Sequence, residues 1–236
     1  MNGPKIDFSN SAYLFPPINR EGLKFGTIAL MLASAVLAAA FFVKVLWIAV
    51  VPVFLLAYGV FLFFRDPERY PPEDASAILS PADGRICLVE ECELPDSFSE
   101  IEEFKGRKFC RVSVFMSVLD VHVNRMPTEG VIVKKEYVPG KFINASLDKA
   151  SKDNERCNYL IKTDAGETYA VTQIAGLVAR RIVPQVEEGQ RLERAERFGL
   201  IRFGSRLDIY LPEGVKPAVS IGQTMVAGET VLGRRS

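Results

Sequence analysis

RFGSRLDIYLP, residues 202–212, alternates apolar and polar side chains on either side of one Gly-Ser step, as a half-buried strand does. Glycine tolerates backbone conformations that other residues resist. In a strained, water-poor site, the hydroxyl of Ser205 could attack the carbonyl carbon of Gly204 and turn the amide into an ester. β-Elimination of that ester, followed by hydrolysis of the dehydroalanine, would leave a pyruvoyl group at a new N-terminus. The alternative interpretation is a bulge or turn, which most Gly-Ser pairs within strands mark.

Three further segments stand upstream of this stretch: LSPADG (79–84), FMSVLDVHVNRMP (115–127) and NER (154–156). Together with FGSRLDIYLP, and in this order, they resemble the phosphatidylserine decarboxylase family. The match is to its short, pyruvoyl-dependent subclass, and it extends from about residue 63 to the end of the chain.

The resemblance implies a proenzyme that cleaves itself between Gly204 and Ser205 into a large and a small chain. Its cofactor would be a covalent pyruvoyl group derived from Ser205, with no metal ion and no pyridoxal phosphate. That group would form a Schiff base with phosphatidylserine in the membrane and release carbon dioxide, leaving phosphatidylethanolamine. Two alternatives stay open: a decarboxylase of a related, archaetidylserine-like serine lipid, and a non-catalytic, membrane-anchored binding module with a carrier-like fold.

Asp83 and His122 fall at catalytic positions of the family. His122 is the single histidine of the chain, and it could remove a proton during self-cleavage and deliver one after decarboxylation. Asp83 could orient a base or hold the attacking hydroxyl. The alternatives are structural: Pro-Ala-Asp-Gly is good turn chemistry, and a buried strand histidine commonly bonds to a backbone carbonyl.

Two residues near His122 complete this segment. Asp120 lies two positions earlier, so on a strand it would share the face of His122 and could orient it. Longer family members carry a second histidine where this chain has Arg125, and we do not assign a catalytic role to that arginine.

Basic residues near the NER segment are candidates for binding the phosphodiester of a lipid headgroup: Lys141, Lys149 and Arg156. Arginine can grip phosphate with two parallel hydrogen bonds, whereas lysine acts as a point charge. The alternative is a solvated charged face.

Residues 25–64 contain one charged side chain, Lys44. A single helix of that length would be about 60 Å long, twice the ~30 Å hydrocarbon core of a bilayer. Two helices, 25–42 and 45–64, fit better and predict a transmembrane or membrane-inserted hairpin. Basic residues outside both ends of the hairpin place those ends, and the following domain, on the cytoplasmic side of the inner membrane.

The predicted organisation is a cytoplasmic segment (1–24), the membrane hairpin (25–64), a proline-rich linker (65–76) and a decarboxylase domain (77–236). The formal net charge is +0, which gives no electrostatic reason to expect nucleic acid as a partner. The four cysteines show no paired spacing and are expected to be reduced thiols. A homo-oligomer is compatible with the sequence.

The decarboxylase domain is predicted to be mainly β, in the α+β class. Strands are expected at 86–89 (buried), 109–115, 131–137, 159–163 and 168–174, with a hairpin turn at 164–166. Helices are expected at 142–152 and 177–182. Recurring glycines after residue 220 suggest the tight turns of a barrel-sandwich fold, as in lipoyl carriers, for the C-terminal part.

Overall fold

The computed structural model describes residues 16–140, 154–176, 181–202 and 205–235. The chain divides into two compact units, Met1–Glu68 and Arg69–Ser236. The division falls inside the predicted linker. The predicted helix at 142–152 lies outside the described residues, as do residues 1–15 of the predicted N-terminal segment.

The first unit contains two helices joined near Lys44, as predicted. Helix α1 (Arg20–Ala40) begins earlier than expected because Asn19 caps it, its side-chain oxygen accepting a hydrogen bond from the Glu21 N–H at 3.1 Å. A short 3₁₀ turn (Lys44–Leu46) leads directly into helix α2 (Trp47–Phe63). The polar cap therefore extends the first helix beyond its apolar segment.

The two helices form an antiparallel hairpin whose ends are joined by backbone hydrogen bonds. The Asn19 N–H donates to the Phe64 carbonyl at 2.8 Å, and the Asp66 N–H donates to the Pro17 carbonyl at 2.7 Å. Gly26 permits close packing, because a Cβ atom there would lie 2.4 Å from the Phe61 ring. Small residues at helix contacts are typical of helix pairs in membranes.

Both helical segments, Arg20–Ala40 and Lys44–Phe63, are long and apolar enough to cross a membrane by length and composition. Their outer faces carry exposed apolar side chains, with Leu56 69% and Ile48 80% exposed. Exposed apolar surface of this extent indicates association with a membrane.

The hairpin packing gives a prediction. Gly26→Val should lower the stability of the hairpin by about 1–3 kcal/mol, because the added methyl groups overlap the Phe61 ring. Trp47 is the only tryptophan of the chain and packs edge-to-face on Phe41 at 5.3 Å, so its fluorescence reports on this unit. The thermal transition of that fluorescence, measured in detergent micelles, should move to lower temperature. Gly59→Val is the matched control, since a Cβ at Gly59 meets nothing within 4 Å; equal transitions for the two variants would contradict the prediction.

The described part of the second unit consists mainly of antiparallel strands, with one short helix, α3 (Asp96–Ser99). The strands are β1 (Ala77–Leu79), β2 (Gly84–Cys92), β3 (Phe109–Met116), β4 (Val123–Arg125), β5 (Gly130–Val138), β6 (Arg156–Lys162), β7 (Thr168–Ala175), β8 (Arg181–Pro184), β9 (Arg191–Leu192), β10 (Arg197–Arg202), β11 (Ser205–Tyr210), β12 (Thr224–Met225) and β13 (Val231–Arg234). The largest sheet has the order β12-β2-β3-β11-β7-β6-β5-β9, and smaller sheets pair β4-β10-β8 and β1-β13. The prediction of a mainly β fold preceded by apolar helices is confirmed.

All five predicted strands are present, as β2, β3, β5, β6 and β7, and the turn at 164–166 joins β6 to β7. Two expectations need correction. In the strand predicted to be buried, Ile86 is buried but residues 87–89 are only partly so, because the neighbouring strand β12 pairs only with Gly84 and Arg85 and leaves residues 87–89 at the edge of the described sheet. The helix predicted at 177–182 is wrong for Arg181 and Ile182, which pair with β10 in strand β8; residues 177–180 lie outside the described part.

Strand β11 lies inside the large sheet, paired with β3 on one side and β7 on the other. Its side chains alternate between two environments. Leu207 and Ile209 point into the main apolar core, while Tyr210 belongs to a second cluster with Phe98 of α3. The first residue of this strand is Ser205, which shares the face of Leu207 by the two-residue period of a strand.

Candidate active site

Ser205 begins β11 and is 0% exposed. It pairs with Met116 of β3 and Ala175 of β7, so both sides of its backbone face a neighbouring strand. Its hydroxyl oxygen lies 3.7 Å from the Met116 sulfur. Gly204, and with it the predicted scissile bond, lies outside the described residues. The structure thus places the candidate nucleophile in the water-poor surroundings that the proposed chemistry requires.

A chain of buried polar side chains leads to Ser205 through the core. The Tyr159 hydroxyl donates to Gln173 Oε1 at 2.7 Å, and Gln173 Nε2 donates to Asn124 Oδ1 at 2.8 Å. Asn124 Nδ2 then lies 3.7 Å from the same Met116 sulfur that the Ser205 hydroxyl contacts. Neither Asn124 nor Gln173 was predicted from the sequence. Their signal is a carboxamide within a strand, which must find partners when buried.

His122 immediately precedes β4 and is 2% exposed. Its carbonyl accepts a hydrogen bond from the Ile201 N–H at 3.3 Å, which joins it to the strand that leads towards Gly204. Its ring atom Nδ1 lies 2.9 Å from the Asp120 carbonyl oxygen. Because a carbonyl only accepts, this contact assigns the proton to Nδ1 and leaves Nε2 as the nitrogen able to take one.

Asp120 does not lie on a strand beside His122, so that expectation is wrong. It closes a turn after β3: its carboxylate accepts from the Ser117 N–H at 2.7 Å, and its own N–H donates to the Ser117 carbonyl at 3.0 Å. Short polar side chains commonly bond to nearby backbone in this way. Its contact with the His122 ring is therefore made by the backbone carbonyl and not by the carboxylate.

Asp83 lies in the bend between β1 and β2. Its carboxylate pairs with Arg69 at 2.7 Å and accepts from the Ala227 N–H, also at 2.7 Å. Burial raises the pKa of Asp83, and a weaker repulsion from Asp120 adds to this, while Arg69 and the Ala227 hydrogen bond act in the opposite direction. Among the described residues, none of its hydrogen bonds goes to Ser205 or His122.

The bend that carries Asp83 is pressed against the strands of the site. The Arg125 N–H donates to the Pro81 carbonyl at 3.0 Å, which attaches the bend to β4. Gly84 has φ 139°, and a Cβ atom there would lie 2.1 Å from the Phe115 carbonyl oxygen of β3. Only glycine fits this approach. The Asp-Gly pair therefore brings the Asp83 backbone next to the strand that pairs with Ser205.

The side chains of Asn154 and Glu155 in the NER segment form hydrogen bonds with the backbone of neighbouring strands. Asn154 Nδ2 donates to the Ala175 carbonyl at 2.7 Å, and Glu155 Oε1 accepts from the Ile182 N–H at 3.0 Å. Burial and a hydrogen bond to Glu155 raise the pKa of Tyr137 to about 12. Arg156 begins β6 and is partly exposed. Lys141 and Lys149 lie outside the described residues, so a common site of the three basic candidates stays a prediction.

Arg125 occupies the position where longer family members have a second histidine. It is 5% exposed, and its Nη1 donates to the Ala195 carbonyl at 3.0 Å. That carbonyl belongs to a residue with φ 64°, a conformation that few residues other than glycine adopt. The arginine thus helps to hold an unusual loop conformation.

All four cysteines are free thiols, as predicted, and burial raises the pKa of each. Within the described ranges, no group of three histidine, cysteine or acidic residues is arranged to hold a metal ion.

A serine that is fully buried at the start of a central strand has the surroundings that suit a protein which modifies its own backbone. Comparison with known proteins names the class: the phosphatidylserine decarboxylase profile matches residues 57–233. The chain belongs to the phosphatidylserine decarboxylase family.

The chain aligns with curated relatives over most of its length. It is 48% identical over 220 residues to a phosphatidylserine decarboxylase proenzyme of Zymomonas mobilis, covering 93% of this chain and 87% of the relative. It is 51% identical over 216 residues to the Cereibacter sphaeroides proenzyme, covering 92% and 89%. A third proenzyme, from Nitratidesulfovibrio vulgaris, is 50% identical over 190 residues, covering 80% and 84%.

The Arg69–Asp83 pair gives a prediction about pH. Because the pKa of Asp83 is raised in the folded chain, the folded state keeps its proton to higher pH than the unfolded state, and stability falls as pH rises through this window. Arg69→Gln removes the positive charge that pairs with Asp83, so the pKa of Asp83 should rise further. The loss of folding stability should then extend to higher pH.

Chemical denaturation at a series of pH values tests this. The destabilisation caused by Arg69→Gln should be largest near neutral pH and should shrink in acid, where Asp83 is protonated. Arg107→Gln is the control. Arg107 and its partner Glu213 are more than half exposed, so their ion pair contributes little to the free energy of unfolding. A pH-independent difference between wild type and Arg69→Gln would contradict the prediction.

Proposed function

We propose that this chain is a proenzyme that cleaves itself between Gly204 and Ser205 and then decarboxylates phosphatidylserine to phosphatidylethanolamine. The single observation that supports this most is the position of Ser205, fully buried at the start of β11 in a chain of this family. Phosphatidylserine decarboxylase proenzymes that share about half of its residues support both the substrate and the processing.

Self-cleavage would proceed in three steps: ester formation, β-elimination and hydrolysis. The Ser205 hydroxyl loses its proton and bonds to the Gly204 carbonyl carbon; the amide C–N bond breaks, and the Ser205 nitrogen gains a proton. Removal of the Ser205 Cα proton then breaks the Cβ–Oγ bond and releases the Gly204 carboxylate. Water adds to the dehydroalanine, and ammonia leaves.

The surroundings of Ser205 fit the group that this chemistry would create. A pyruvoyl group has no backbone N–H and must stand at a chain terminus, which cleavage before Ser205 would supply. When formed, the group supplies an electron sink for the loss of a carboxyl group. The remaining work of the site is proton transfer and exclusion of water.

His122 is the residue that we propose moves these protons. The hydrogen bond between Nδ1 and the Asp120 carbonyl sets its tautomer, so that Nε2 can accept a proton and later return it. Asp83 is proposed to act through electrostatics, since its hydrogen bonds go to Arg69 and Ala227.

We further propose that the helical hairpin anchors the enzyme in the inner membrane with the catalytic unit on the cytoplasmic side. Its apolar helices and the basic residues that flank them support this. Anchoring would keep the enzyme concentrated with a substrate that stays in the bilayer.

For the C-terminal part we propose a barrel-sandwich arrangement resembling lipoyl carriers. Positive φ angles of 87° at Gly222 and 75° at Gly228 support tight turns on either side of β12. The short pairings of β12 with β2 and of β13 with β1 are compatible with this arrangement.

Self-cleavage is tested directly by Ser205→Ala. This variant should remain a single chain and should produce no carbon dioxide from phosphatidylserine vesicles, because it has no hydroxyl with which to form the ester. Intact-mass measurement should show wild type as two chains, the smaller beginning with a pyruvoyl group. Ser113→Ala removes a second fully buried serine of the same sheet and should be processed normally. An uncut wild-type chain would overturn the proposed function.

His122→Gln should lower decarboxylation about 10²–10⁴-fold, the usual contribution of a general acid or base. Carbon dioxide release and intact mass, measured on the same sample, show whether one residue serves both decarboxylation and cleavage. Asp120→Asn keeps the backbone carbonyl that contacts the ring and should retain most activity. A loss in Asp120→Asn as large as that in His122→Gln would show that the carboxylate orients the histidine after all.

A further inference from the structure

We propose that Asn124 donates a hydrogen bond to the Ser205 oxygen atom at which negative charge develops during self-cleavage. This inference rests on the proposed function and adds a residue to it. It starts from one contact: Asn124 Nδ2 and Ser205 Oγ each lie 3.7 Å from the Met116 sulfur, and both side chains are 0% exposed.

The orientation of the Asn124 carboxamide is set by its neighbours. Gln173 Oε1 accepts from the Tyr159 hydroxyl, so Gln173 presents its NH₂ group to Asn124 Oδ1 at 2.8 Å. With its oxygen used in this way, Asn124 must direct its own NH₂ group towards the Met116 sulfur, which the Ser205 hydroxyl also contacts. The three side chains form a directed chain of hydrogen bonds that ends in a donor sharing this sulfur with the nucleophile.

That terminal donor has a poor acceptor in the precursor. A thioether sulfur is a weak acceptor, whereas buried amide N–H groups normally find oxygen partners. Among the described residues, Met116 is the partner of Asn124 Nδ2. A buried donor with a weak partner gains more than an exposed one when an oxygen nearby acquires negative charge.

Ser205 Oγ acquires such charge at a defined step. In the β-elimination, the bond between Cβ and Oγ breaks, and its electron pair leaves on Oγ as part of the Gly204 carboxylate. An N–H group that turns from the Met116 sulfur to Oγ would stabilise this departure, and the hydrogen-bond chain already holds the carboxamide with its NH₂ group on the side of that sulfur. The same donor assists when Oγ first loses its proton, but the charge there is soon shared with the new ester.

Asn124→Ala tests the proposal in the full chain. The pyruvoyl-bearing small chain should appear about 10²-fold more slowly, the usual effect of removing one such donor. The ester should accumulate, since elimination is slowed more than its formation. Hydroxylamine cleaves such an ester and would leave a small chain that begins with unmodified serine, which intact mass distinguishes from pyruvoyl.

Two variants separate this role from folding. Asn124→Asp keeps the oxygen that accepts from Gln173 and replaces the NH₂ donor by a second oxygen, so it should accumulate the ester as well when assayed at a pH at which this carboxylate is ionised. Asn158→Ala removes another buried asparagine, in strand β6 of the large sheet and bonded to Thr172 and Glu136, and should be processed without hydroxylamine-sensitive ester. Melting temperatures by circular dichroism show which variants are folded.

The outcomes are distinct. Hydroxylamine-sensitive ester in folded Asn124→Ala and Asn124→Asp, but not in Asn158→Ala, supports the proposal. Processing of Asn124→Asp at the wild-type rate, or slow processing without trapped ester, overturns it. Wild-type chain that is never cleaved at Ser205 would overturn the proposed function itself, which is a separate result.

Discussion

The two hydrogen-bonded ladders that hold β11 between β3 and β7 fix the position of Ser205. Each residue from Ser205 to Tyr210 has a partner on both sides. A strand paired along both edges in the middle of a sheet is among the last elements to open. Chemistry that requires a hydroxyl to reach a neighbouring carbonyl carbon depends on such positioning, because small displacements cost large factors in rate.

The alternation of apolar and charged side chains along β11 allows only one register for the strand, and therefore one position for Ser205. Leu207 faces the main core, while Arg206 and Asp208 form a completely buried ion pair, Nε to Oδ1 at 2.6 Å, on the opposite face. A slip of one residue would exchange the two faces and place an arginine in the apolar core. A buried ion pair contributes little net stability. We therefore infer that the pair mainly specifies the register that places Ser205 in the core.

Short sequence patterns predicted those parts of the fold that depend on neighbouring residues, such as strands, turns and helix ends. The strands before and after residues 164–166 and the helix boundary near Lys44 follow from short patterns. The carboxylate of Asp120 was misplaced because a turn, with its own backbone hydrogen bonds, replaced the expected strand. Asn124 and Gln173 could not be connected from sequence, since residues far apart in the chain meet only after β4 and β7 have found their places in separate sheets.

The topology also determines what breaking the chain before Ser205 would leave behind. Every strand of the resulting small chain pairs with a strand of the large one in the described sheets: β11 with β3 and β7, β12 with β2, and β13 with β1. None of these pairings uses the bond between residues 204 and 205. Because the ladders and the core around Leu207 and Ile209 persist without that bond, the two chains would stay assembled. The new terminus would then remain where the strand holds it, inside the site that produced it.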